Sequence, residues 1–341
     1  MYSSAAWAMA RCKLTMSRWQ VNASAPGKLV LSGEYAVLEG APAVCMAIDH
    51  RARVAITPSG GKSHILHAPG YADGPLEFRD KDGKLKWLDN GAGLEMIDAI
   101  WAATGVVPSE GLSLHLDTSE FVDVQSGSKM GIGSSAALTV ALTAALDAPD
   151  KAYDAHRLFQ DGRGSGVDIA CSLAGGVIEY VAKSRNVRPL NWPRGLAGTL
   201  IWSGTPASTA QKLDRLAESR PRPSRAALVY SSRRVSAAWR QGSVDHLLDE
   251  YRDYIQILRE FSIDHDLGIF DAGHDELTAL AATAGVIYKP CGAGGGDVGI
   301  ALSADAAALD AFAGQAKAHN YDVLDAELDP LGVQVERNEL E

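Results

Sequence analysis

Residues 131–136 read Gly-Ile-Gly-Ser-Ser-Ala and run directly into an alanine-rich helical pattern, Ala136 to Leu146. A glycine-rich turn lets backbone N–H groups approach an anion closely. The helix behind it aims the positive end of its dipole, about half a charge, at the same place. The stretch therefore reads as a phosphate cradle. Ser134 or Ser135 can cap the helix, bond a phosphate oxygen, or ligate Mg2+ through a hydroxyl. A plain capped helix with a glycine-rich entry is the bland alternative. Gly131-x-Gly133-x-x-Ala136 also satisfies the dinucleotide pattern GxGxxG/A. That reading needs an apolar strand leading into the loop and an acid at a strand end about 20 residues on. Here polar VQSGSKM leads in, and Asp147 and Asp150 flank Pro149 in a turn. The Walker pattern GxxxxGK[ST] is absent from the sequence.

Upstream of the loop, residues 19–57 alternate as strand material, punctuated at Pro26-Gly27, Gly33, Gly40 and Pro42. Residues 60–90 read as a polar hairpin region, 93–104 as a helix and 111–117 as a strand. Downstream, Asp150–Gln160 reads as a helix. A second glycine-rich piece, GRGSGVDIACSLAGGVIEYV, follows as loop, short helix, Gly-Gly turn and strand. The stretch 184–197, with two prolines, is the best boundary candidate. Beyond it come a strand at Gly198–Ser203, a helix over Ala207–Glu218, and long helices over 224–240 and 243–263. A third glycine-rich loop, Gly292–Gly296, precedes the strand VGIAL. A helix at Ala304–His319 and a strand near Val333–Glu336 close the chain. Strands and helices without a strict βαβ rhythm predict an α+β fold rather than a doubly wound sheet.

The 341 residues, 46% hydrophobic and 22% charged, suit a globular protein of two domains. A net charge of −10 argues against non-specific nucleic-acid binding, though local basic residues can still receive an anionic small substrate. Cys12, Cys45, Cys171 and Cys291 are far apart and form no CxxC pair, which fits a reduced, cytoplasmic protein without a zinc site. No apolar run approaches the ~18 residues that span a membrane. The first eighteen residues are expected to be a tail or to precede a start at Met16; a transit peptide has a similar composition.

Two further segments join the loop. Residues 25–40 read APGKLVLSGEYAVLEG and residues 289–301 read KPCGAGGGDVGIA. With GIGSSAA they resemble, in order and spacing, the three motifs of the GHMP kinases, the galactokinase, homoserine, mevalonate and phosphomevalonate kinase family. The resemblance spans about Asn22 to the C-terminus. GSGVDIACSLAGGV, with Asp168, resembles the family's active-site Asp segment. SGTPASTAQKL, residues 203–213, and the Asp after the triple glycine, Asp297, resemble the phosphomevalonate kinase branch.

The resemblance implies a two-lobed α+β fold with ATP and the acceptor in the cleft between lobes. The N-terminal nucleotide-binding lobe, ribosomal-protein-like, would run over 19–188, and a ferredoxin-like C-terminal lobe over 189–341. It implies an ATP-dependent phosphotransferase acting on a small phosphorylated or hydroxylated acid, most like phosphomevalonate kinases. Mevalonate kinase or another GHMP small-molecule kinase is the alternative, and a related ATP-consuming decarboxylase a further one. Lys28 and Asp168 are the implied catalytic pair. Lys129, Gly131, Ile132, Gly133, Ser134, Ser135 and Ala136 would hold ATP, with Mg2+ at Ser135. Lys28, Ser32, Glu34, Tyr35, Gly166, Ser208, Thr209, Lys212, Gly292, Ala293, Gly294, Gly295 and Asp297 would face the acceptor. Lys129, Arg163, Arg185 and Lys212 supply cations whose division between ATP and acceptor stays open, as does a homodimer. Several relatives place a Mg2+-holding Glu on the helix before GSGVD; here AYDAHRLFQD offers only Asp154 and Asp161, and His156 there reads as a packing residue. An alcohol acceptor needs a base, whereas a phosphate acceptor with a second pKa near 6 is already ionised at pH 7. For the latter Asp168 is expected to orient Lys28 or Mg2+, and Asp168→Asn to lower kcat with little change in the pH profile between about 7 and 9.

Overall fold

The computed structural model describes residues 13–14, 19–81, 84–89, 91 and 93–340. Apart from Lys13–Leu14, paired with Val107–Pro108, the expected N-terminal tail lies outside the described residues.

Two long strands, Trp19–Ser32 and Ala43–Pro58, replace the continuous strand material of 19–57 and pair antiparallel. Pro42 and the glycines at 33 and 40 break the run, and a short 3-10 turn, Ala36–Glu39, joins the strands. Ala43–Pro58 is central. Its first residues pair with Val177–Val181 and its last with Leu112–Asp117. Short strands of the 60–90 region extend this sheet on one side and Asn186–Leu190 on the other. The proline-bearing stretch at 184–197 thus still contributes a strand before the chain leaves the first sheet.

The helix Ser134–Ala145 packs on both long strands and buries ten of its twelve residues. Its alanines let it lie close to the sheet, and an all-round apolar surface is what a fully enclosed helix requires. The expected helix at 150–160 forms as a 3-10 turn, Pro149–Lys151, and a helix, Ala152–Phe159. Pro149 at the start of the turn suits a position where no N–H is needed.

The second sheet has four antiparallel strands in the order Ile287–Pro290, Val298–Ser303, Ala197–Trp202, Asp322–Leu324. Helices His274–Thr283 and Ala306–Ala318 cover it over Ile201, Leu277, Tyr288 and Phe312. His274–Thr283 was not expected from sequence, although Leu277, Leu280, Ala281 and Ala284 fall at helical spacing and pack in this core. The long helices Pro223–Gln241 and Val244–Asp264 pack on each other, and the former also rests on both long strands of the first sheet. The last strand, Gln334–Glu339, returns to pair with Trp19–Ser24. One apolar core runs from the first lobe into the second, with Leu29, Tyr254, Phe261, Ile269 and Cys291 in a single cluster. The molecule is a two-lobed α+β fold.

Candidate active site

Three glycine-rich segments converge between the lobes. In the first, Gly131 and Gly133 adopt φ of +75° and +93°, a conformation costly for other residues. Gly133, not a serine, immediately precedes the helix, and no side chain caps its first N–H groups. Those donors and the helix dipole remain available to an anion. Ser134 and Ser135 occupy the first turn instead of the expected cap. The Ser135 hydroxyl lies 3.3 Å from Nε2 of His156. Burial pushes the His156 pKa below its ordinary value, so the ring is neutral near pH 7. Ile132 and Ala136 are buried, and Ile132 contributes its carbonyl, which accepts the Lys28 N–H at 2.8 Å.

That bond ties the first long strand to the cradle and places Lys28 over it. A Cβ at Gly133 would lie 2.9 Å from Lys28 Cγ. The Lys28 ammonium meets Asp168 Oδ1 at 3.1 Å, with 12% and 31% of the two side chains exposed. Burial works against the lysine's charge, but the Asp168 carboxylate, together with Cys45 and Asp297, outweighs it, and Lys28 ends above its ordinary pKa. Asp168 stands in the first turn of Val167–Ala174, where the dipole favours a carboxylate. Gly166, at φ +80°, starts that helix against Tyr153 and Tyr180.

The third loop approaches from the second lobe. A Cβ at Gly131 would fall 2.0 Å from Asp297 Cγ, so bare backbone is what lets this carboxylate abut the cradle. Asp297 accepts the Ala207 N–H at 2.9 Å and binds the 203–205 backbone through its own N–H and carbonyl. Burial pushes its pKa up, opposed by that N–H and by Lys28 and Lys212. Gly294 and Gly295 back against the carbonyls of Ile269 and Gly268, while nothing crowds Gly292. Between the lobes lies a cavity of about 110 Å3, lined among others by Lys28, Tyr35, Asp168, Thr209, Gly292 and Ala293. Tyr35 closes it, its hydroxyl donating to the Ala293 carbonyl at 2.7 Å.

Glu34 also borders this cavity, yet it exposes only 1% of its side chain and pairs inward with Lys289. Other expected residues stand elsewhere. Ser32 is fully buried. Ser208 starts the helix Thr209–Glu218, its hydroxyl accepting the Gln211 N–H. Lys212 donates to the carbonyls of Leu267 and Gly268 at 2.6 and 3.1 Å, and burial lowers its pKa. Lys129 sits over the Tyr71 ring at 5.1 Å. Arg163 and Arg185 line an adjoining cavity of about 420 Å3, with Arg157 and Lys183. Asp154 and Asp161 pair with Arg185 and Arg163. Among the described residues, no three His, Cys, Asp or Glu side chains converge as a metal site. Gln160 and Leu38, which line both cavities, and Lys289 escaped the sequence reading, because nothing local marks residues joined only by tertiary folding.

No protein-family model matches the chain. It is 30% identical over 331 residues to the phosphomevalonate kinase of Streptomyces sp. (strain CL190), covering 82% of this chain and 88% of that one. It is 28% identical over 307 residues to the mevalonate kinase of Pyrococcus abyssi, covering 83% and 88%. Its fold matches Streptococcus pneumoniae phosphomevalonate kinase, solved with phosphomevalonate and AMPPNP, with a TM-score of 0.74 at 19% identity, covering 90% of this chain and 99% of that one. No helix among the described residues is long and apolar enough to cross a membrane. The cradle, the Lys28–Asp168 pair and these likenesses agree: the chain belongs to the GHMP kinases of the mevalonate pathway, ATP-dependent phosphotransferases, and is most like the phosphomevalonate kinases.

Proposed function

We propose that this kinase transfers the γ-phosphoryl group of ATP to the phosphate of 5-phosphomevalonate, yielding 5-diphosphomevalonate and ADP. The observation that carries this is the 30% identity to a phosphomevalonate kinase across 82% of the chain. The placement of Thr209 in the cavity with Lys28 and Asp168, and of Asp297 against Gly131, accords with it. The triphosphate would rest on the N–H groups of 131–135. Lys28 would bring its cation to the oxygens of the group in transfer, where charge stabilisation supplies most of the rate. Asp168 would hold that ammonium in place. The acceptor oxygen is already ionised at neutral pH and needs no strong base.

Mg2+ would serve as the Lewis acid that neutralises phosphate charge. The donor set nearby is a hydroxyl, Ser135, rather than a cluster of carboxylates, which suits a hard ion that keeps water and arrives on the nucleotide. The described cysteines, 45, 171 and 291, are free and buried, in keeping with a cytoplasmic enzyme.

Phosphorylation of mevalonate itself is the second reading, favoured by the mevalonate kinase likeness at 28% over a similar span. Product identification by 31P NMR separates the two. Conversion of a monophosphate resonance into two coupled diphosphate resonances supports the proposal. A new monophosphate ester formed only from mevalonate contradicts it.

A further inference from the structure

At the wall of the cleft, where Glu34 borders the cavity, lies an ion pair that no step of the transfer uses. Glu34 Oε1 and Lys289 Nζ are 2.5 Å apart, and the two side chains expose 1% and 0% of their surface. Glu34 Oε2 accepts the Tyr254 hydroxyl at 2.5 Å, and that same hydroxyl accepts the Gly33 N–H at 2.9 Å. Glu34 follows the first long strand, Lys289 belongs to the strand that leads into the third glycine loop, and Tyr254 comes from Val244–Asp264. Burial and the Glu34 charge push the Tyr254 phenol well above its ordinary pKa, so it stays a donor.

A buried pair of this kind is a poor source of stability. Apolar residues of similar volume serve as well or better, whereas removing one partner alone is strongly destabilising. Its distinguishing property is direction, since both carboxylate oxygens are engaged at fixed angles. What it directs is the next residue. Tyr35 holds φ of +59°, a left-handed conformation that a bulky residue keeps only when its surroundings impose it. In that conformation its hydroxyl reaches Ala293 across the lobes.

We propose that Lys289 is a positioning residue: through Glu34 it fixes the turn at 33–35, so that Tyr35 and Ala293 form the acceptor wall across the two lobes. This rests on the reading that the cleft takes the acceptor. It gives Glu34, which borders the same cavity, the role of interlobe latch.

The test compares Lys289→Met, Glu34→Met and the double variant Glu34→Met/Lys289→Met by Tm and by separate KM values for acceptor and MgATP. Each single variant is expected to lower Tm. The double variant should recover Tm to within about 3 °C of wild type, yet keep an acceptor KM raised about tenfold, with MgATP KM within about twofold. Recovery of the acceptor KM together with Tm, or an equal rise in both KM values, would overturn the proposal. Should the double variant not fold, Tyr254→Phe decides. A rise of about fivefold in acceptor KM alone supports the latch, and an unchanged acceptor KM contradicts it. Both 5-phosphomevalonate and mevalonate are assayed, and whichever wild type turns over reports the KM. Lack of turnover of the first therefore strikes the functional reading and leaves the latch testable.

Discussion

At the scale of single residues, the account turns on Lys28 and Asp168. Lys28 is 12% exposed, and its charge is kept by a neighbour 3.1 Å away. With the proposed phosphate acceptor, already ionised, and Lys28 protonated across pH 7–9, wild-type kcat should be flat there. Asp168→Asn removes the largest of the charges that offset burial, so the Lys28 pKa should fall from its raised value. We expect Asp168→Asn to lower kcat with little change in the profile between pH 7 and 9, measured as a pH–rate profile. A wild-type acidic limb that vanishes in Asp168→Asn would instead mark Asp168 as the base for an alcohol. Lys28→Met should lower kcat by about 100-fold or more while leaving MgATP KM within a few fold, since its charge acts mainly on the group in transfer. The Lys28–Asp168 pairing was legible because both lie in motifs. The inward turn of Glu34 was not, since its partner Lys289 is 255 positions away and only the fold brings them together.

At the scale of elements, the phosphate loop shows why glycine is required at particular places. Gly131 has φ +75°, and a side chain there would strike Asp297. Gly131→Ala should therefore part the cradle from the third loop. We expect MgATP KM to rise about tenfold or more while Tm falls only a few degrees, read by steady-state kinetics and thermal melting. An unchanged MgATP KM would argue that the cradle does not hold the triphosphate. Helices with a long apolar period, such as Pro223–Gln241 and Val244–Asp264, were readable to within a residue or two. The helix His274–Thr283 and the strands Ile287–Pro290 and Asp322–Leu324 were not expected from sequence. The apolar spacing of the helix was there to be read, whereas the two strands are so short that partner strands define them more than their own composition does.

At the scale of the whole molecule, the two lobes share a core, and their joint carries buried ionisable groups. Burial pushes the His274 pKa down to about 4, its ring held between the Tyr288 hydroxyl and the Gly296 carbonyl at 2.8 Å each. The unfolded chain takes up a proton near 6.5 that the folded chain refuses. Stability present at neutral pH is therefore lost as pH falls from about 6.5 toward 4, by up to about 3 kcal/mol from this residue. Urea unfolding at pH 7 and pH 4.5 should show a smaller loss in His274→Gln than in wild type; an equal loss would place the acid sensitivity elsewhere. The two-lobed architecture was legible through the family resemblance that the three glycine motifs carry, but the return of Gln334–Glu339 to the first sheet was not, because an exposed strand carries no apolar alternation.

The central claim is that this kinase phosphorylates a phosphate rather than an alcohol. Its most direct test is kcat/KM for 5-phosphomevalonate against mevalonate in an ADP-release assay with MgATP. The account predicts a preference for 5-phosphomevalonate of about 1,000-fold or more, because charge recognition separates the two acceptors strongly. A preference for mevalonate would contradict it.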